Sequence, residues 1–423
     1  MAVDSMRVIT PYASRFGYDM LHIMDNYSLY IHVPFCRKRC GYCDFNTYTE
    51  QESAIPAYVD ALCSEIGHVA ALVERKLPVQ TLFFGGGTPS ILPPTAFEQI
   101  MDTINDRYYL LPDYEATLEA NPGTVSEDAL KRLVDIGFNR ISFGMQSADE
   151  KLLTLLERMH HVPEVITAVN WSYKAGFNHI NLDLIFGIPY QTLQSWQETL
   201  EVALDQGPDH LSLYALTLEK GTPLYEQVER GKVPEPDPDL AADMYEWSTE
   251  RLAASGYLQY EISNWAKAPA GGKTSYCRHN LQYWRNLPYL GFGAGAHGYA
   301  GGYRTADIAG IGAYINCLKN DRWEQFPFSP ANISLVVVDQ RVEMQETMMV
   351  GLRLVQEGVS AQRFISRFGQ RLTEVFGAEI TPLIKSRLLE WAGPQDDILR
   401  LTQRVRLLGN HVFIHFVGEG NEN

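Results

Sequence analysis

"HVPFCRKRCGYCDF", residues 32–45, places Cys36, Cys40 and Cys43 within eight positions. The run Leu29–Val33 just before it is short, apolar and β-branched, the pattern of a strand buried on both faces. A strand that opens into a cysteine loop puts the thiols at its C-terminal end, where α/β folds build their sites. The spacing Cys-x3-Cys-x2-Cys is not the paired C-x2-C of structural zinc, and no second pair follows at finger-like distance. It also lacks the fourth cysteine of the ferredoxin runs. Three thiolates can hold three irons of a [4Fe–4S] cluster and leave the fourth open, as ligand exchange requires. Cys63, on a helix face, and Cys317 read as incidental reduced thiols.

Working outward, the strand–helix alternation repeats. Val79–Phe84, Ala116–Ala120, Arg140–Phe143, His179–Ile185 and His210–Ala215 are further candidate strands, separated by stretches of helical period. "SEDALKRLVDIG" carries Ser126 as a cap, acids in its first turn and Gly137 at its end. Six such repeats predict an α/β fold with a parallel sheet, open or a partial TIM-like (β/α)6 barrel. "YLQYEISNW" (257–265) reads as one more strand. Past about residue 330 three helical patterns precede two short strands, "ILRLT" and "HVFIHFVG", which predicts a smaller helical domain carrying a β-wing. The expected division is an extension at 1–27, a core at 28–265, a connecting segment at 266–329 and the C-terminal domain at 330–423.

With 45% hydrophobic and 20% charged residues the 423-residue chain has a globular composition. Its net charge of −16 argues against a nucleic-acid partner. No stretch approaches the roughly 20 apolar residues of a membrane span. The start has no signal-like apolar run, and six cysteines in so long a chain do not form a disulfide framework. A cytosolic location is expected; peripheral contact at a membrane stays open, with no residue that argues for it.

Four polar residues stand at strand ends or on the next helix: Glu119, Gln146, Arg158 and Asp183. A carboxylate inside an apolar strand is costly unless it is paired or faces a ligand. "FFGGGTPS" (83–90) ends the second strand in a turn whose glycines let backbone approach a ligand. The motif "YIHVPFCRKRCGYC" resembles the signature of the radical S-adenosylmethionine (SAM) enzymes. The likeness is to the branch that holds oxygen-independent coproporphyrinogen oxidases and HemW-type heme chaperones, and it extends over roughly residues 28–423. It implies a cluster on Cys36, Cys40 and Cys43 whose open iron is chelated by SAM, and an electron that cleaves SAM to a 5′-deoxyadenosyl radical. It further implies SAM contacts from Tyr30, Tyr42, Gly86, Gly87, Thr88, Glu119, Gln146, Arg158, Asp183 and the backbone at Ala215. An electron donor of the flavodoxin or ferredoxin kind fits the same resemblance. No catalytic residue is assigned.

The family divides at two places. The oxidases carry a further cysteine two residues after the third ligand, where this chain has Phe45. "CRHNLQYW" (277–284) matches the H-N-x-x-Y-W element associated with heme in HemW-type proteins, which implicates His279, Asn280, Tyr283 and Trp284. An imidazole can ligate iron, and the two aromatic rings offer flat area to a porphyrin. Two functions follow: a carrier that binds heme and passes it to an acceptor protein, and a coproporphyrinogen III oxidase. Phe45 and the heme element favour the carrier; the complete SAM set keeps the oxidase open.

Overall fold

The computed structural model describes residues 26–268, 274–320 and 325–417. Most of the expected N-terminal extension and part of the Gly-rich connector, 269–273, lie outside them. Six parallel strands form the centre: β1 (Tyr27–Val33), β2 (Pro78–Gly86), β3 (Tyr109–Ala120), β4 (Arg140–Gln146), β5 (His179–Phe186) and β6 (His210–Ala215). All six stand where the apolar runs put them, although β3 begins earlier, at Tyr109.

The strands alternate in character. Leu29, Ile31, Leu82, Phe84, Leu118 and Ile141 face the covering helices and join one large apolar core. The helix Glu127–Ile136 shows how a helix is held there: Ser126 Oγ caps it by accepting from Ala129 N, Gly137 ends it in the left-handed region, and Leu130 and Leu133 turn inward. The opposite strand face is buried yet polar, with Ser28, Thr81, Glu115, Arg140, Asn181 and His210. Such a face is stable only where its groups meet partners, and here they bond one another across the concave interior: His210 Nδ1 lies 2.7 Å from Asn181 Oδ1, and Thr81 Oγ1 donates to Ser28 Oγ at 2.5 Å.

The sheet is wider than six strands. β7 (Tyr257–Glu261) and β8 (Asn264–Lys267) form a hairpin on β6, so "YLQYEISNW" is two strands around Ile262 and Ser263 instead of one. On the other side β9 (Tyr289–Phe292) runs parallel to β1, followed by antiparallel β10 (His297–Ala300), β11 (Tyr303–Asp307) and β12 (Asn332–Val337). The order is β12-β11-β10-β9-β1-β2-β3-β4-β5-β6-β8-β7, and the sheet thus runs on past residue 330.

The C-terminal region packs helices Gln340–Gly351, Ala361–Phe368 and Leu372–Lys385 with a small sheet of β13 (Val359–Ser360), β14 (Leu389–Ala392) and β15 (Ile398–Leu401). β15 is one of the two expected wing strands. "HVFIHFVG" is not the other: a helix at Gly409–Phe413 and a 3-10 turn at Ile414–Phe416 occupy it, burying Val412, Phe413 and Phe416 at helical spacing. β15 pairs with β13 on one side and β14 on the other; the apolar pattern attaches β14 to the preceding helix, and Arg387, at φ +56°, breaks that continuation. Leu354 docks this region against Tyr260, Ala266 and Leu281. Among the described residues no helix is long and apolar enough to cross a membrane.

Candidate metal and cofactor centre

The cysteine loop leaves the end of β1 and is tied down at several points. Cys36 N donates to Tyr48 O (2.9 Å) and Tyr48 N to Pro34 O (2.7 Å). Asn46 Nδ2 donates to Ala294 O (2.9 Å), and Asn46 O meets His32 Nε2 (2.9 Å). The glycine turn zips onto the same loop, with Gly87 N to Val33 O (2.9 Å) and Thr88 N to Phe35 O (2.8 Å). Gly86 sits at φ +108°, and a Cβ there would press on the His32 ring; one on Gly87 would lie 2.6 Å from Phe35 O. These two glycines let β2 end directly against the thiols.

The three cysteines line one pocket of about 430 Å³ at the C-terminal ends of the strands. Cys36 Sγ lies 3.4 Å from Thr88 Oγ1, and Cys40 Sγ accepts from Arg158 Nη1 at 3.3 Å. Burial pushes the thiols of Cys36 and Cys43 up. Among the described residues no three such donors converge as a single-ion site would need; three thiols around one pocket suit separate corners of a cluster instead. Cys63 stands apart on the helix Ile55–Ala71, with its thiol toward Gln99 O.

The same pocket gathers Tyr42, Gly86, Gly87, Thr88, Glu119, Gln146, Arg158, Asp183 and Ala215. Glu119 Oε2 accepts from Gly86 N at 3.2 Å; burial, then the nearby Asp183, push its carboxyl up to about 8. Asp183 accepts from Ser142 Oγ (2.7 Å) and Asn181 Nδ2 (2.8 Å), and burial raises it also. Gln146, at φ +63°, turns the end of β4 into the pocket. Arg158 donates to Gly144 O at 2.9 Å while its Nε is buried without a partner, an orphan donor beside Cys40. This donor set, with a glycine cradle and polar groups at the strand ends, fits a cluster and a polar, zwitterionic ligand. Tyr30 stands away from the pocket lining: its hydroxyl lies 3.0 Å from His32 Nδ1 and its ring stacks on Phe83. Asn121, Ser142 and Tyr214 also line the pocket. Of these, Asn121 and Tyr214 adjoin Ala120 and Ala215, so strand ends were the signal for them; Ser142 is one of many strand serines, and only the register shows it.

The H-N-x-x-Y-W element forms the helix Arg278–Trp284 at the other end of the strands. Glu115 caps it, accepting from Arg278 N (3.1 Å) and His279 N (3.0 Å). His279 is buried, its Nδ1 2.8 Å from Thr81 Oγ1 and its Nε2 2.9 Å from Tyr283 OH. Burial holds the imidazole neutral, pushed down to about 3. Thr81 precedes Gly86 by five residues, about 16 Å along β2, and Phe83, stacked on the His279 imidazole with ring centroids 5.0 Å apart, lies between them. Asn280 is half-buried, and Trp284 lies under the Arg353 guanidinium at 4.4 Å, facing away from the barrel interior toward the C-terminal region.

The Radical SAM superfamily profile matches residues 30–203, and the HemN C-terminal domain profile residues 338–408. The chain is 37% identical to the protein named heme chaperone HemW of Bacillus subtilis, over 93% of this chain and 99% of that one. The HemW of Synechocystis is 36% identical over 88% and 89%. A mouse protein named radical S-adenosyl methionine domain-containing protein 1, mitochondrial, is 36% identical over 86% and 81%. In fold the chain resembles the Escherichia coli coproporphyrinogen III oxidase HemN, with a TM-score of 0.78 at 22% identity, covering 92% of this chain and 90% of that one. The superfamily implies a [4Fe–4S] cluster and SAM. Similar to those relatives over most of its own length and theirs, the chain belongs to the HemW family of radical SAM proteins.

Proposed function

We propose that this protein is a heme carrier built on a radical SAM core. It would hold a [4Fe–4S] cluster on Cys36, Cys40 and Cys43, bind SAM exchangeably beside it, and pass heme to an acceptor protein. One observation carries the reading: the end-to-end likeness to proteins named heme chaperone includes the complete cysteine pocket, yet Phe45 stands where the oxidases have their extra cysteine. Phe45 is 64% exposed at the pocket mouth, a group with no proton or electron to give.

The residues divide the work as follows. When bound, the cluster supplies an electron and SAM the group it reduces. Arg158 offers its free Nε–H beside Cys40, Glu119 and Asp183 accept hydrogen bonds from the ligand's ammonium or hydroxyls, and the Gly86–Thr88 turn holds it against the loop. The 278–284 helix is the heme element. Iron ligation by His279 would require Nε2 to exchange Tyr283 OH for the metal.

The reconstituted, reduced protein is incubated without air with SAM and coproporphyrinogen III, and separately titrated with hemin. Hemin binding without protoporphyrinogen IX is the expected result; appearance of protoporphyrinogen IX makes the protein an oxidase instead. Alanine at Cys36, Cys40 or Cys43 should abolish the iron–sulfur absorption, and Cys63→Ala should keep it. Loss of the cluster in the Cys63 variant would mean that the ligand set is wrong.

A further inference from the structure

Between the 278–284 helix, the β10–β11 turn and the C-terminal helices lies a second cavity of about 900 Å³, against about 430 Å³ for the cysteine pocket. It is at the upper end of the roughly 300–1,000 Å³ of small-molecule sites. Its walls include Trp284, Tyr299, Phe326, Phe364 and Phe368, an aromatic surface of the kind that binds a flat apolar ring by its faces. Among the described residues the lining holds no histidine, cysteine or methionine, and burial pushes the phenol of Tyr299 up, which keeps it protonated and a poor iron ligand.

Its rim is charged in a particular way. Arg285 spans both oxygens of Glu357, with Nε 3.1 Å from Oε1 and Nη2 2.7 Å from Oε2. Arg363 shares that same carboxylate from the rim, with its side chain 69% exposed. Two guanidiniums on one carboxylate leave a surplus positive charge, and Arg363 is the one free to turn to another acceptor. Arg367, by contrast, is held by Asn286 O (2.7 Å) and Glu343. A large flat apolar body with carboxylates at one edge satisfies both features, which describes a tetrapyrrole with its propionates.

The cysteine pocket argues the same way from the other side. It must hold a cluster and SAM in less than half the volume. His279, the heme element's imidazole, faces the barrel interior with both nitrogens engaged. Trp284, five residues on, is the member of that element that lines the large cavity.

We propose that the cavity between the β10–β11 turn and the C-terminal helices is a second ligand site, which takes the macrocycle of a tetrapyrrole dicarboxylate. The ring lies against Trp284 and the Phe364–Phe368 pair, and a carboxylate takes Arg363. This rests on the reading that the protein carries heme, and it adds that the ring is held here without ligation of its iron. The site is therefore distinct from His279, and an iron-free porphyrin occupies it as heme does.

The test titrates the full chain, cluster intact, with hemin and with iron-free protoporphyrin IX. The variants are Ser366→Trp, which puts an indole into the cavity from an exposed position, and Arg363→Glu. A ligand that needs about 70–90% of its surface covered should bind about tenfold or more weakly to Ser366→Trp. Arg363→Glu should weaken it severalfold, while iron–sulfur absorption and SAM binding should match wild type in both cavity variants. Wild-type affinity for both porphyrins in Ser366→Trp and Arg363→Glu overturns the cavity site and leaves the heme reading standing. So does a wild-type protein that binds hemin but not protoporphyrin IX. A protein that binds neither overturns the heme reading itself.

Discussion

At Gly87 a methyl group would sit 2.6 Å from Phe35 O and 2.7 Å from Val33 O, both backbone atoms of the cysteine strand and loop. Backbone held by its own hydrogen bonds cannot step aside, so Gly87→Ala should separate the glycine turn from the thiols. The expected outcome is loss of iron–sulfur absorption together with a lowered melting temperature. Gly67→Ala is the control: no atom outside its own helix lies within 4 Å of the added methyl, and alanine in a helix is favoured by about 1 kcal/mol. Glu119 makes a pH prediction. Its carboxyl titrates near 4.5 when exposed and at about 8 in the fold. A raised pKa means the folded state holds the proton longer, so the associated stability is present below about 4.5 and lost as pH rises through about 8. In the protein without SAM, Glu119→Gln should melt above wild type near pH 8.5, with the gap closing toward pH 5. A gap independent of pH would show that Glu119 is not the titrating group.

At the scale of elements, the 278–284 helix depends on a residue from a distant strand. Glu115, buried on β3, accepts from the N–H groups of Arg278 and His279. Removing it leaves one buried donor, His279 N, and one half-buried, Arg278 N, without partners, at about 1–3 kcal/mol for the buried one. Glu115→Ala should therefore lower the melting temperature and weaken hemin binding while the iron–sulfur absorption persists; an unchanged titration would separate this helix from heme. The wing shows why elements were read unevenly. "ILRLT" and "HVFIHFVG" are both short apolar runs, and such a run does not say whether its period is 2 or 3.6. The core into which Val412, Phe413 and Phe416 turn is shared with Phe364 and Phe376, far off in sequence, and that core chooses the helix.

For the whole molecule, the joint between barrel and C-terminal region has a small apolar cluster at its centre. Leu354, 2% exposed, fills the space between Tyr260, Ala266 and Leu281, and the Arg304–Glu346 and Arg285–Glu357 pairs flank it. Cutting a buried leucine to alanine costs about 2–5 kcal/mol. In Leu354→Ala that loss falls on the joint, so proteolysis near residue 338 should accelerate and porphyrin binding should fall, with iron content unchanged. Loss of iron in this variant would mean that the two ends of the barrel are coupled more tightly than their spacing implies.

The six central strands, the capped helix after Ser126 and the thiol loop were legible from local pattern alone. Strands covered on both faces are continuous apolar runs, and a cluster loop keeps its ligands within a few residues of one another. Nearly all the polar residues expected around that loop do line its pocket, because each stands at a strand end and parallel strands bring their ends together. Packing between distant segments decided the rest: the four outer strands β9 to β12, the split of "YLQYEISNW" into two, the helical fate of "HVFIHFVG", the place of Tyr30 beside His32, and the burial of His279 against Thr81. No local pattern records which buried group a ring nitrogen will meet, since that bond joins residues nearly two hundred positions apart. The large cavity is of the same kind, as its walls come from five separate stretches that only the folded chain brings face to face.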